Sequence, residues 1–487
     1  MESILERPDA SRREFLQAGA AAGALALAAP RRVLGANDRV RIAVCGVHGR
    51  GFDHIRNYAQ ISGVEIAAIC DVDENVSRKR VAQMASMGLP QPRTYVDVRK
   101  LLEDRSIDAV SVATPNHWHS LMGIWVCQAG KDLYVEKPMC HYAWEGRQLV
   151  AAVKKYNRIC QHGSQSRSMP PILEGIKQMR GGLIGDVYMA RGLCYKWRPT
   201  IGYAPVSPVP AGVDYDLWTG PAPQHAFTAN RFHYNWHWFW NTGNGDIGNQ
   251  GIHELDKARW GLGVRYPSKA TAVGAKVLFQ DDQETPNLLS CTYEFDGPNG
   301  GKRILEFEVR GWITNHECEI GTGAYRSAGA PLVGMATEAA EHPRAARHWT
   351  WQNTPQHAGS NGPVNGPGTI GNIFYGSKGI LGMDTYSAYM SWLGPGQDSG
   401  PSAHGGNERL HFQNFIDCVR SRRAEDLHCP IEEGYMSVLL VHLANASYTT
   451  GRTIHFDAAT QQAIGDDEAN RLLHGHYRAP FTVPDEV

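Results

Sequence analysis

The chain has 487 residues, 42% of them hydrophobic and 20% charged, a globular balance with length enough for two or three domains. Lys and Arg number 48 against 49 Asp and Glu, for a formal net charge of -1. No basic run is long enough to follow a phosphate backbone, which argues against nucleic acid as a partner. Ten scattered cysteines form no CxxC pair and the 21 histidines form no metal-like cluster, so no metal is expected.

At the N-terminus, Ser11-Arg12-Arg13-Glu14-Phe15-Leu16 precedes an alanine-rich run from Ala18 to Ala29. The pattern resembles a twin-arginine export signal, and its apolar run is too short for a membrane span. Residues 1–36 are set aside as this signal segment, and a periplasmic or otherwise exported location is expected. Any dissociable cofactor outside the cytoplasm has no obvious diffusible pool, so it would be tightly held and regenerated in each cycle.

Val40 to Gly46 reads as a short buried strand, followed at once by Gly46-Val47-His48-Gly49-Arg50-Gly51 and a helix over about 52–60. Strand, glycine turn and helix together suit a pyrophosphate, which backbone N–H groups and a helix N-terminus can face. The next strand, Val64 to Cys70, ends at Asp71, 25 positions after Gly46 and near the offset expected of a carboxylate on the adenosine ribose. A carboxylate there disfavours a 2′-phosphate, so NAD is expected over NADP.

Alternation continues. Ile107 to Ala113 is a buried strand ending in Thr114-Pro115-Asn116-His117-Trp118-His119, with a helix over about 120–129. Asp132 to Val135 is a strand ending in Glu136-Lys137-Pro138, followed by a helix over 142–156 and a strand over 159–162. Such repetition predicts an α/β fold with a doubly wound parallel sheet, and ligands gather beyond the carboxyl ends of its strands. The cofactor-side candidates are Gly46, His48, Gly49, Arg50, Gly51, Asp71, Thr114, Pro115, Asn116, His119, Glu136 and Lys137.

The glycine turn, Cys70-Asp71-Val72-Asp73, the Thr-Pro-Asn strand end and Glu136-Lys137-Pro138 together resemble the Gfo/Idh/MocA-like oxidoreductases. The resemblance implies a Rossmann domain, here 37–162, and a C-terminal substrate-binding and oligomerisation domain, 163–487, built on a large open, mainly antiparallel sheet. It also implies nicotinamide near Lys137, a sugar or cyclitol between the domains, and homo-oligomers.

In the second half, the segment Arg231-Phe232-His233-Tyr234-Asn235-Trp236-His237-Trp238-Phe239-Trp240 is dense in polar and aromatic groups. Trp236, Trp238 and Trp240 alternate at strand period, so they read either as one apolar sheet face or as sugar-stacking rings. Arg231, His233, Tyr234, Trp236 and Trp238 are substrate-side candidates. A helix from 247 or 249 to 260 would bring Asn249, His253 and Asp256 near one face, with Asp256 also on the substrate side. The resembled dehydrogenases carry aspartate where this chain has Asn249, so Asp246 is a candidate replacement.

Hydride loss from a carbinol needs a group to take the hydroxyl proton. Lys137 suits this if an apolar site or a positive nicotinamide lowers its pKa, and His253 because histidine titrates near neutrality. Lys137, His253, Asp246 and Asn249 are the catalytic candidates. Strands are expected over 184–194, 269–279, 287–295 and 303–311, a hairpin over 373–383, and helices over 407–420 and 431–449. The intervening 318–370 reads as a long loop insertion. Three functions stay open: an NAD-dependent oxidoreductase of a sugar or polyol, a redox-neutral NAD-dependent glycoside hydrolase, and a non-catalytic carbohydrate- or nucleotide-binding module.

Overall fold

The computed structural model describes residues 39–311 and 369–487. The signal segment and nearly all of the 318–370 insertion lie outside them. Residues Val40–Val487 belong to one compact unit.

The first six strands are β1 (Val40–Cys45), β2 (Val64–Cys70), β3 (Arg93–Tyr95), β4 (Ala109–Val112), β5 (Asp132–Val135) and β6 (Cys160–His162). They form one sheet in the order β3-β2-β1-β4-β5-β6, every pairing parallel. β1, β4 and β5 are almost wholly buried, as their small and β-branched residues require of strands covered on both faces. The strand order reverses between β1 and β4, which opens a crevice at their carboxyl ends.

Helices Arg50–Tyr58, Glu74–Ser86, Asn116–Gln128 and Ala143–Tyr156 connect these strands. The second was not expected from apolar periodicity, though Asp73 caps it by accepting from the Asn75 amide. The third begins at Asn116 rather than near 120, directly after Pro115, its extended N-cap residue.

The second sheet contains β7 (Val187–Tyr195), β8 (Lys269–Ala275), β9 (Leu288–Asp296), β10 (Lys302–Arg310), β11 (Thr369–Gly376), β12 (Gly379–Asp384) and β13 (Ala388–Leu393). Short strands β14 (Asp398–Ser399), β15 (Ala403–His404), β16 (Ile454–Asp457) and β17 (Gln462–Ala463) complete it. The order is β14-β13-β12-β11-β7-β10-β9-β8-β16-β17, with β15 on β13. All pairs are antiparallel except β7 with β10.

Helices Ile252–Leu262 and Ile431–Thr450 cover one face of this sheet. The second is apolar nearly all round, the pattern of a helix enclosed by protein. Among the described residues no helix is long and apolar enough to cross a membrane.

Candidate nucleotide and substrate site

A cavity of about 290 Å³ opens at the β1–β4 crevice. Its floor is the glycine turn. Gly46 has φ +78°, and a Cβ there would lie 2.7 Å from the Ala113 carbonyl oxygen, so only glycine lets the chain turn here. Gly49 differs: a Cβ at that position would meet no protein atom within 4 Å. Its missing side chain leaves space on the cavity side, beside the helix start at Arg50, which has no side-chain cap.

Asp71 ends β2 in the cavity wall. Its carboxylate accepts from the amides of Val47 (2.8 Å) and Asp73 (3.0 Å), bracing the turn, and burial pushes its pKa up to about 6. Thr114 and Asn116 line the same cavity, and the Thr114 Oγ1 and Asn116 Oδ1 atoms are buried without a hydrogen-bond partner. Leaving such groups unmatched costs about 1–3 kcal/mol each, so a polar ligand at this wall would be favoured. The cradle at Gly49, the Asp71 carboxylate and these two oxygens fit a dinucleotide.

Other candidates support the wall through partners of their own. Arg50 lines the cavity, but its guanidinium pairs with Glu136 and Glu408, each at 2.8 Å. The Glu136 carboxylate also meets His54 and Gln165. Although burial alone would raise its pKa, Arg50 and His54 hold it well below the usual range. His119 has both ring nitrogens 2.7 Å from main-chain carbonyls, those of Pro138 and Thr114. Pro115 completes that rim, and His48 projects from the turn into the wall.

At the far end stands Lys137, just past β5. Its Nζ donates to the Asn249 carbonyl at 2.6 Å and lies 3.4 Å from Asn249 Oδ1. Burial pushes its pKa down to about 8, with Glu136 opposing and Arg50, Lys196 and Arg198 nearby helping. Asn249 sits in a π-turn, Ile247–Gly251, and its amide approaches Asp246 Oδ1 at 3.4 Å. Asp246 is bound bidentately by Arg198, at 2.8 and 3.0 Å, and Arg198 also donates to the Tyr234 hydroxyl at 3.3 Å. Asp246 therefore fixes a cation beside the site rather than standing free as a base.

Asn249 in this turn and His253 one turn later both neighbour Lys137, the first by hydrogen bond and the second through its charge. His253 packs against Tyr386 with ring centroids 5.0 Å apart and is not part of the cavity wall. Burial, helped by Lys137, holds its imidazole well below the usual range, hence neutral. Asp256 is a clear correction: its carboxylate is bound by Arg167 and by Ser437 (2.6 Å), deep between helices and away from the cavity.

The aromatic run is also corrected. Residues Asn235–Trp238 form a 3₁₀ turn, not a strand. An alternation this short carries little strand information, and here the rings bury themselves in separate places. Trp236 reaches the cavity wall, whereas Trp238 lies under the Arg198 guanidinium at 5.3 Å. Arg231 turns away to Asn241 and Glu284. His233 and Tyr234 line the cavity, and so do His237, Leu217 and Trp218, none of which was singled out from the sequence. No motif marked Leu217 or Trp218.

Residues 40–164 match the Gfo/Idh/MocA oxidoreductase family, NAD-binding Rossmann fold, and residues 185–310 and 403–483 match that family's C-terminal α/β domain. A glycosyl hydrolase family 109 protein of Shewanella sp. (strain W3-18-1) is 32% identical over 154 residues, 31% of this chain. That match spans only 34% of the relative's length.

Among solved structures, the WlbA dehydrogenase of Bordetella pertussis, in complex with NADH and UDP-GlcNAcA, superposes with TM-score 0.57 at 17% identity, over 86% of this chain and 99% of that one. Levoglucosan dehydrogenase, in complex with NADH and levoglucosan, gives 0.58 at 15% identity, over 86% and 99%. At these identities the two likenesses establish the fold.

Proposed function

Because the chain belongs to the Gfo/Idh/MocA family of oxidoreductases, we propose that it transfers a hydride between a sugar or polyol carbinol and an NAD-type dinucleotide held on its Rossmann sheet. The observation that carries this reading is Lys137: a half-buried ammonium with its pKa brought down to about 8, in the wall of the cavity that holds the glycine turn. The backbone of residues 46–51, Asp71, Thr114 and Asn116 would hold the cofactor, whose nicotinamide supplies the hydride acceptor. Neutral Lys137 takes the hydroxyl proton at Nζ, and Asn249 orients that amine. Arg198, fixed by Asp246, keeps positive charge nearby and so favours the neutral amine. His253, held neutral close to Lys137 and packed on Tyr386, would relay that proton onward.

A second reading, a glycoside hydrolase that oxidises its sugar transiently and restores the cofactor in each cycle, draws support from the glycosyl hydrolase relatives. One experiment separates the two. Protein loaded with NAD is given free sugars, polyols and aryl glycosides, and absorbance of reduced nicotinamide is followed together with aglycone release. Reduction without release supports the oxidoreductase; repeated release without net reduction supports the hydrolase. Absence of both, with dinucleotide still bound, would leave only a binding module.

We also propose export through the twin-arginine route, supported by Arg12-Arg13 and the alanine-rich run after them. Retention of a tagged full-length chain in the cytoplasm of a transport-competent host would refute it. Self-association through the open face of the second sheet, which exposes Tyr188 and Val273, is proposed likewise. A monomeric mass by light scattering would end that proposal.

A further inference from the structure

Residues 211–238, sequentially part of the second half, cross the rim of the nucleotide cavity and are fastened on both sides of it. At the β2 end, the Glu74 amide donates to the Gly212 carbonyl and the Asp214 amide to the Val72 carbonyl, each at 2.9 Å. At the β4 end, Trp118 Nε1 donates to the Leu217 carbonyl at 2.9 Å, and the His117 ring lies 3.0 Å from the Trp218 carbonyl. Between these anchors, Leu217 and Trp218 form cavity wall.

The segment then returns to the glycine turn itself. The His233 imidazole lies flat on that of His48, with centroids 4.2 Å apart and planes 4° from parallel. Its Nε2 is 3.0 Å from Asp73 Oδ2, while the other oxygen of that carboxylate caps the helix Glu74–Ser86. His48 belongs to the turn and His233 to the crossing segment, so this pair joins the two halves of the chain directly at the cavity wall.

We infer that His233, stacked on His48 and tied to Asp73, closes the dinucleotide site, so that a bound dinucleotide leaves only when this clasp parts. This assigns His233 to the cofactor side rather than to the sugar. It rests on the proposed NAD site and adds slow cofactor release to it.

The full-length protein is loaded with NADH and mixed with excess NAD, and loss of bound-NADH fluorescence gives the dissociation rate constant. His233→Ala is expected to raise that constant about tenfold, with the melting temperature little changed. His233→Phe, which can stack on His48 but cannot bond Asp73, should fall between the two. An increase of threefold or more in His233→Ala supports the clasp, and a smaller one overturns it. If His233→Ala does not fold, the same threshold is applied to His233→Phe. A wild-type protein that takes up no NADH overturns the NAD reading and the clasp with it, whereas normal binding with an unchanged rate overturns the clasp alone.

Discussion

Asn249 meets Lys137 twice, through its main-chain carbonyl at 2.6 Å and its side-chain oxygen at 3.4 Å. The lysine leaves the end of a strand in the first sheet, and the asparagine stands in the turn that opens a helix on the second. The contact therefore couples the alignment of the proposed base to the packing of the two halves. It also holds the amine by acceptors that carry no formal charge, which lets burial and nearby cations lower its pKa.

Lys137→Met should lower the rate of sugar oxidation by roughly 10²–10⁴, the usual contribution of a positioned acid or base. NADH affinity should change by less than about threefold, because the turn and Asp71 are untouched. Single-turnover absorbance and fluorescence titration measure the two quantities; near-normal turnover would remove the lysine from the chemistry.

The pH dependence follows from the same residue. With its pKa brought down from 10.5 to about 8, Lys137 is mostly charged at pH 7 and mostly neutral above pH 9. The value of kcat/KM for oxidation should therefore rise with pH through about 8 and then level off. A profile flat from pH 6.5 to 9.5 would count against this base.

The two glycines of the turn should respond differently. Gly46→Ala meets a positive φ and a carbonyl oxygen at 2.7 Å, so stability should fall by roughly 2 kcal/mol or more in denaturant titrations. Gly49→Ala has room on the protein side and should fold with a loss of about 1 kcal/mol at most. It should nonetheless weaken NADH binding at least tenfold, because its methyl group enters the space left for the ligand. Unchanged NADH affinity in Gly49→Ala would place the dinucleotide elsewhere.

Asp256→Ala should act on stability and not on substrate. Removing the carboxylate takes from buried Arg167 its bidentate partner and leaves it the partly exposed Glu433, a loss approaching the roughly 3–5 kcal/mol of a broken interior ion pair. KM for the sugar should stay within about twofold in the protein that remains folded. A large rise in KM at full stability would restore Asp256 to the substrate side.

How much was legible can be traced through single residues. Gly46, Gly49 and Asp71 were readable because the strand–turn–helix pattern is local and its spacing follows from backbone geometry. Lys137 was readable because it ends a buried strand, where a doubly wound sheet collects its ligands. Arg198, His237 and Trp218 were not, since each reaches the site by contacts between segments distant in the chain, and no periodicity encodes those.

The linear order of residues determined the parallel sheet, its glycine turn and the position of the lysine, all consequences of hydrophobic period and local backbone preference. Packing between the two halves decided the rest. It turned Asp256 into a structural partner of Arg167, drew His233 onto His48, and lowered the pKa of Lys137 by removing it from water among other cations. Burial and charge at a side chain depend on everything folded around it, and neighbours along the chain supply only part of that surrounding.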